Sequence, residues 1–180
     1  MLKLSPRQTL ATGAALVALM AVTRSSHIGD WSSFPDASWA IFFLAGMWLA
    51  PRFWLPLLIA FGVGIDWFAT SVGGVSDYCM TPAYWLLLPT YAALWGAGRF
   101  VAGRALPAVA AGVVGAAAVA EVLSGGSFYF LSGYQTAPTL TGYAAEFGQY
   151  FPMSLAVMGA YVGVALLVQA ALTVARPAHG

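Results

Sequence analysis

The sequence predicts an all-α integral membrane protein, one bundle of six transmembrane helices covering residues 1–180. Three observations predict it. Hydrophobic residues make up 61% of the chain and charged ones 7%, with a mean hydropathy of +0.81, whereas a soluble domain carries about 25% charged residues. The apolar residues fall into six runs, and a span needs roughly 20 mostly apolar residues. Finally, the few cations are sorted to alternate ends of those runs.

The first run, Thr9 to Thr23, follows a short segment bearing Lys3 and Arg7 and reads as a membrane helix rather than a cleaved leader. Arg24 to Asp36 is a polar loop. A second run, Ala37 to Ala50, is short, and Pro51-Arg52 turns it into the third, Phe53 to Thr70. Gly73-Gly74 breaks the pattern, and Pro82 opens the fourth run, which reaches Gly98. Arg99 to Arg104 is a basic turn. The fifth run, Ala105 to Leu123, is rich in alanine and glycine. Ser124 to Gly142 reads as a polar loop with aromatic residues. The last run, Tyr143 to Ala175, is long enough to begin outside the bilayer and to tilt or kink at Pro152.

Placing the N-terminus in the cytoplasm puts Lys3, Arg7, Arg52, Arg99, Arg104 and Arg176 on the inner side and leaves Arg24 alone outside. That is the positive-inside pattern, with both termini cytoplasmic. All six acids, Asp30, Asp36, Asp66, Asp77, Glu121 and Glu146, then lie on or near the outer face.

Composition also excludes functions. A net charge of +1 gives no footing for nucleic acid, and a single cysteine rules out an internal disulfide, a CxxC pair and a cysteine-based zinc site. No phosphate-cradling loop is present, so the chain has no ATP site. Small residues spaced four apart allow close helix packing. Ala108/Gly112, Ala111/Gly115 and Gly159/Gly163 read as internal packing, while Ala11/Ala15 reads equally as a docking face for a partner.

The densest chemistry lies between Asp66 and Tyr84, a stretch with the only cysteine and two of the acids. Asp66 near the end of a span either faces a cavity or reaches interfacial water. Cys79 is either an inert small hydrophobe or a soft metal ligand at the outer mouth. His27 is the one histidine outside the C-terminal tail. One His and one Cys cannot build a tetrahedral site, but either can be an axial ligand to a metal already held by a macrocycle. Tyr78, Tyr84, Trp85, Trp31, Trp39 and Trp67 crowd the same end, as an interfacial belt or as pocket walls. Phe128, Tyr129, Phe130 and Tyr134 fit the wall of a small-molecule pocket better.

Six short helices with an outward pocket resemble the substrate-binding S-components of energy-coupling-factor (ECF) vitamin transporters. More narrowly, His27, Asp66, Cys79 and Tyr84 resemble the BtuM family, solitary S-component-like proteins for vitamin B12. The resemblance implies cobalamin bound base-off in the outward cavity, with Cys79 as axial ligand to the corrin cobalt. His27, Asp66, Tyr84, Tyr78 and Trp67 would line the ligand. It implies bacterial inner-membrane uptake, with removal of an upper cyanide ligand through Cys79 as an accessory activity. By the same resemblance, Ala11 and Ala15 would dock an ECF module of coupling subunit and ATPases. An S-component for another vitamin with Cys79 inert, a thiol-dependent membrane enzyme and an assembly subunit are the alternatives left open.

Overall fold

The structure, a computed structural model, describes residues 4–24, 34–74 and 76–174, and every regular element among them is helical. Six α-helices follow in order: α1 (Pro6–Arg24), α2 (Ser38–Trp48), α3 (Trp54–Ser71), α4 (Leu87–Val101), α5 (Leu106–Leu131) and α6 (Leu140–Val174). Two short 3-10 turns, Asp77–Cys79 and Pro82–Leu86, lead from α3 into α4.

The helices match the six apolar runs in number, but the spans do not. Among the described residues only α3, α5 and α6 are long and apolar enough to cross a membrane. The 11 residues of α2 extend about 16 Å, half of a roughly 30 Å hydrocarbon core. Pro82–Leu86, expected within the fourth helix, is 3-10 instead, which leaves α4 with 15 residues. Helix α1 carries Arg7, Gln8 and Arg24 within its 19 residues.

Helix α2 is the axis of the bundle. Its residues from Ala40 to Met47 are all buried, as a helix apolar on every face must be. Helix α4 crosses it at backbone contact. A Cβ at Gly46 would run into the Trp95 carbonyl, and one at Gly98 into the Phe43 carbonyl. Above this crossing the Phe42 and Tyr91 rings stack with centroids 4.1 Å apart. Helix α1 joins through Gly13, which leaves space for the Trp54 ring of α3, with Leu16 and Met20 buried on the same stripe. Helix α5 adds Val109, Val113, Ala116 and Ala117 to the core, and Gly112 sits against Val101 of α4.

Helix α6 is the exception. Of its 35 residues only Met158 and Val162 are buried, and Val164, Leu167 and Leu172 point outward, as suits a helix facing lipid. Gly159 and Gly163 were expected to pack inside the bundle. A Cβ at either would meet nothing within 4 Å, because this face of α6 turns away from the other helices. The same holds for Gly115 of α5.

The loop expected from Ser124 to Gly142 is mostly helix. Helix α5 runs on to Leu131, and Ser127 returns its hydroxyl to the Ser124 carbonyl, 2.8 Å away. The true stop is Gly133, whose φ of 83° lies in the left-handed region that ends helices without penalty only at glycine. Helix α6 starts earlier than expected because the Thr139 hydroxyl accepts the Gly142 N–H at 3.0 Å, an N-cap interaction. It continues unbroken through Pro152.

Candidate functional site: a two-walled cavity

A cavity of about 710 Å³ opens at one end of the bundle. Arg52 and Arg104 lie in turns at the other end, and Arg99, expected to open a turn, is still in α4; there its guanidinium donates to the Ala50 carbonyl (2.9 Å) and covers the Trp95 ring. The lengths of α5 and α6 build the cavity. At 26 and 35 residues they extend about 39 and 52 Å, well past a roughly 30 Å core. Their adjoining ends and the turn between them form one wall. The ends of α1 and α3, the start of α2 and the Pro82–Leu86 turn form the other.

That second wall is organised by Arg24, the last residue of α1, only 7% exposed. Its Nε and Nη2 donate to the two carboxylate oxygens of Asp66 on α3, each at 2.6 Å. Nη1 donates to Ser38 Oγ (2.7 Å), Tyr91 OH (3.0 Å) and Asp36 Oδ2 (3.3 Å). Asp36 in turn accepts the Ser38 N–H and hydroxyl at 2.9 and 2.6 Å, capping the first turn of α2. Tyr84 OH donates to Asp66 Oδ2 at 2.7 Å. One guanidinium thus ties α1, α2, α3 and α4 together, and its fork matches the carboxylate geometry. Every one of its nitrogens is engaged.

The α5–α6 wall is aromatic. Tyr78 stacks on Tyr134 at 4.3 Å and leans on Phe128 at 5.3 Å, which joins the Asp77–Cys79 turn to the α5–α6 turn. Tyr129 of α5 meets Tyr143 of α6, and Phe147 continues the surface along α6. Set in it is Glu121, 8% exposed and about three turns before the end of α5. Tyr143 OH donates to the Glu121 backbone carbonyl at 3.2 Å. Among the described residues the charged ones of the cavity are Arg24, Asp36, Asp66, Glu121 and Glu146, one cation against four carboxylates.

The sequence-derived candidates divide accordingly. Asp66, Tyr84 and Tyr78 line the cavity, so of the two readings of Asp66 the structure favours the cavity-facing one. Cys79 stands between Tyr78 and Met80, which both line it. The side chain of Cys79 and all of His27 lie outside what is described. Trp67 is not in the cavity wall. It is 62% exposed, because one residue along α3 from the inward Asp66 turns the side chain about 100° away. Ala11 and Ala15 are exposed on α1, on the side away from Gly13 and Leu16.

Two cavity residues went unrecognised in the sequence. Arg24 was visible only as the one cation against the orientation bias, which is itself the signal that something holds it. Glu121 was counted among the outer-face acids, although an acid in an Ala/Val/Gly helix needs a reason to be there. Among the described residues no group of three or more His, Cys, Asp or Glu is placed to hold a bare metal ion. Compared with known proteins, the sequence matches no family and resembles no characterised protein significantly.

Proposed function

We propose that this is a bacterial inner-membrane protein for uptake of cobalamin, bound base-off in the cavity with the Cys79 thiolate as axial ligand to cobalt. The observation that carries the reading is the cavity itself: about 710 Å³, aromatic on one wall, with Tyr78 and Met80, the two neighbours of Cys79, in its lining. A corrin presents broad apolar faces that aromatic rings can cover. Its periphery of amides and its central metal cation suit a lining where, among the described residues, carboxylates outnumber cations four to one. Because the macrocycle already holds the cobalt, one soft thiolate suffices.

In this reading the cavity faces outward, and the end with Arg52, Arg99 and Arg104 is cytoplasmic by the positive-inside rule, as are both termini. Six helices cross the membrane jointly, the short α2 inside the rest. A thiolate bound to Co(III) weakens the bond to an upper cyanide, which makes decyanation an accessory activity. Uphill uptake takes its energy from a partner ATPase module docked on the exposed Ala11/Ala15 face of α1, or from trapping of the vitamin after entry.

The test is a visible spectrum of the purified protein after incubation with cobalamin, repeated with Cys79→Ser. The expected result is a retained corrinoid with a thiolate-shifted spectrum that reverts in the variant. Retention with an identical spectrum in both proteins would make Cys79 inert. No retention by the wild type would end the cobalamin reading. Rescue of a B12-dependent strain lacking its own transporter checks uptake separately.

A further inference from the structure

The two walls of the cavity treat their charges differently. Arg24 is the one cation among the described residues of the lining, and its donors are spent on Asp66, Asp36, Ser38 and Tyr91. Glu121 has no cationic partner among the described residues. Its side chain lies along Gly125, where a Cβ would press on Oε1; the missing side chain one turn on leaves the carboxylate its room. Its polar neighbour is the Ser154 hydroxyl of α6, which also bonds the Tyr150 carbonyl at 3.3 Å. A carboxylate has about four acceptor positions, and one shared hydroxyl leaves most of them unused. Burying such a group in a membrane protein is costly unless donors arrive from elsewhere. Glu121, Gly125 and Ser154 all line the cavity, so those donors can come from a bound ligand.

We propose that Glu121 is a ligand-selecting residue of the cavity, accepting N–H donors from primary amides of the ligand and rejecting a ligand that carries a carboxylate at the same point. The inference rests on the cobalamin reading, since a corrin periphery supplies such amides. It assigns the selection to α5, away from the cobalt and from the segment bearing Cys79.

Cobalamin and its monocarboxylic derivatives, each with one propionamide hydrolysed to the acid, make the test. Affinities are measured on the full-length protein in detergent, wild type and Glu121→Gln side by side. A like-charge pair in a buried site costs several kcal/mol, so the wild type is expected to bind at least one of the acids more than about tenfold more weakly than cobalamin. In Glu121→Gln that ratio is expected to fall to within about threefold, a change that a purely structural role for Glu121 would not produce. An unchanged ratio in the variant overturns the inference and leaves the cobalamin reading standing. Should the variant fail to fold, the wild type alone decides: equal affinity for the amide and every acid also overturns it. Failure of the wild type to bind cobalamin ends both.

Discussion

The Arg24 wall and the Glu121 wall use the same kinds of residue for opposite ends. Around Arg24 two carboxylates, one tyrosine and a serine meet one guanidinium, a second tyrosine donates to Asp66, and the group is closed on itself. Around Glu121 a carboxylate of similar burial stands against aromatic rings with one shared hydroxyl. The first arrangement spends its hydrogen bonds on holding four helices in register. The second leaves them open. A polar group in an apolar bundle thus declares its role by what remains unpaired, and burial alone does not distinguish the two.

Breaking the closed wall is expected to have the largest effect. Arg24→Met leaves Asp66 and Asp36 without their cation, and removing one partner of a buried pair costs about 3–5 kcal/mol. Denaturant unfolding in detergent measures it, and adding Asp66→Asn should recover part of the loss. A single-mutant loss below about 1 kcal/mol, the value of an exposed pair, would show that the wall is not closed. Tyr84→Phe deletes one donor to a charged acceptor and is expected to cost about 1.5–3 kcal/mol, in the same assay, whatever the ligand. Destabilisation confined to the ligand-bound protein would move Tyr84 to the recognition side. Glu121→Gln sharpens the contrast from the other wall. It removes a buried carboxylate that has no counter-ion among the described residues, so the melting temperature of the ligand-free protein should hold or rise. A drop comparable to that of Arg24→Met would erase the distinction between the walls.

Much of the architecture is legible in the sequence because apolar runs and breakers are local features. The number of helices, the position of α3 and the placing of Asp66, Tyr84 and Cys79 at one end follow from them. What the sequence hides is pairing across distance. Arg24 and Asp66 are 42 residues apart, and nothing in either segment marks them as partners. The continuation of α5 through Ser124-Gly125-Gly126 is hidden for another reason. Those residues read as a loop by propensity, yet Ser127 pairs locally with the Ser124 carbonyl and the glycines leave room for the Glu121 carboxylate and the Tyr143 ring. Tertiary demand overrode local preference there. For the small-residue pairs, spacing reveals that a helix can be approached closely but not whether anything approaches. Gly46 and Gly98, not spaced as a pair in the chain, form the tightest crossing, while Gly159 and Gly163 face open space.

The shortness of α2 sets how little protein lies behind the cavity. Its first residue, Ser38, touches Arg24 in the cavity wall, and just past its other end the Ala50 carbonyl meets Arg99. Between those contacts lie 11 helical residues, about 16 Å of protein where a bilayer is roughly 30 Å thick. In the uptake reading proposed above, a molecule held against the Arg24 wall would stand near mid-membrane, with one short apolar helix beyond it.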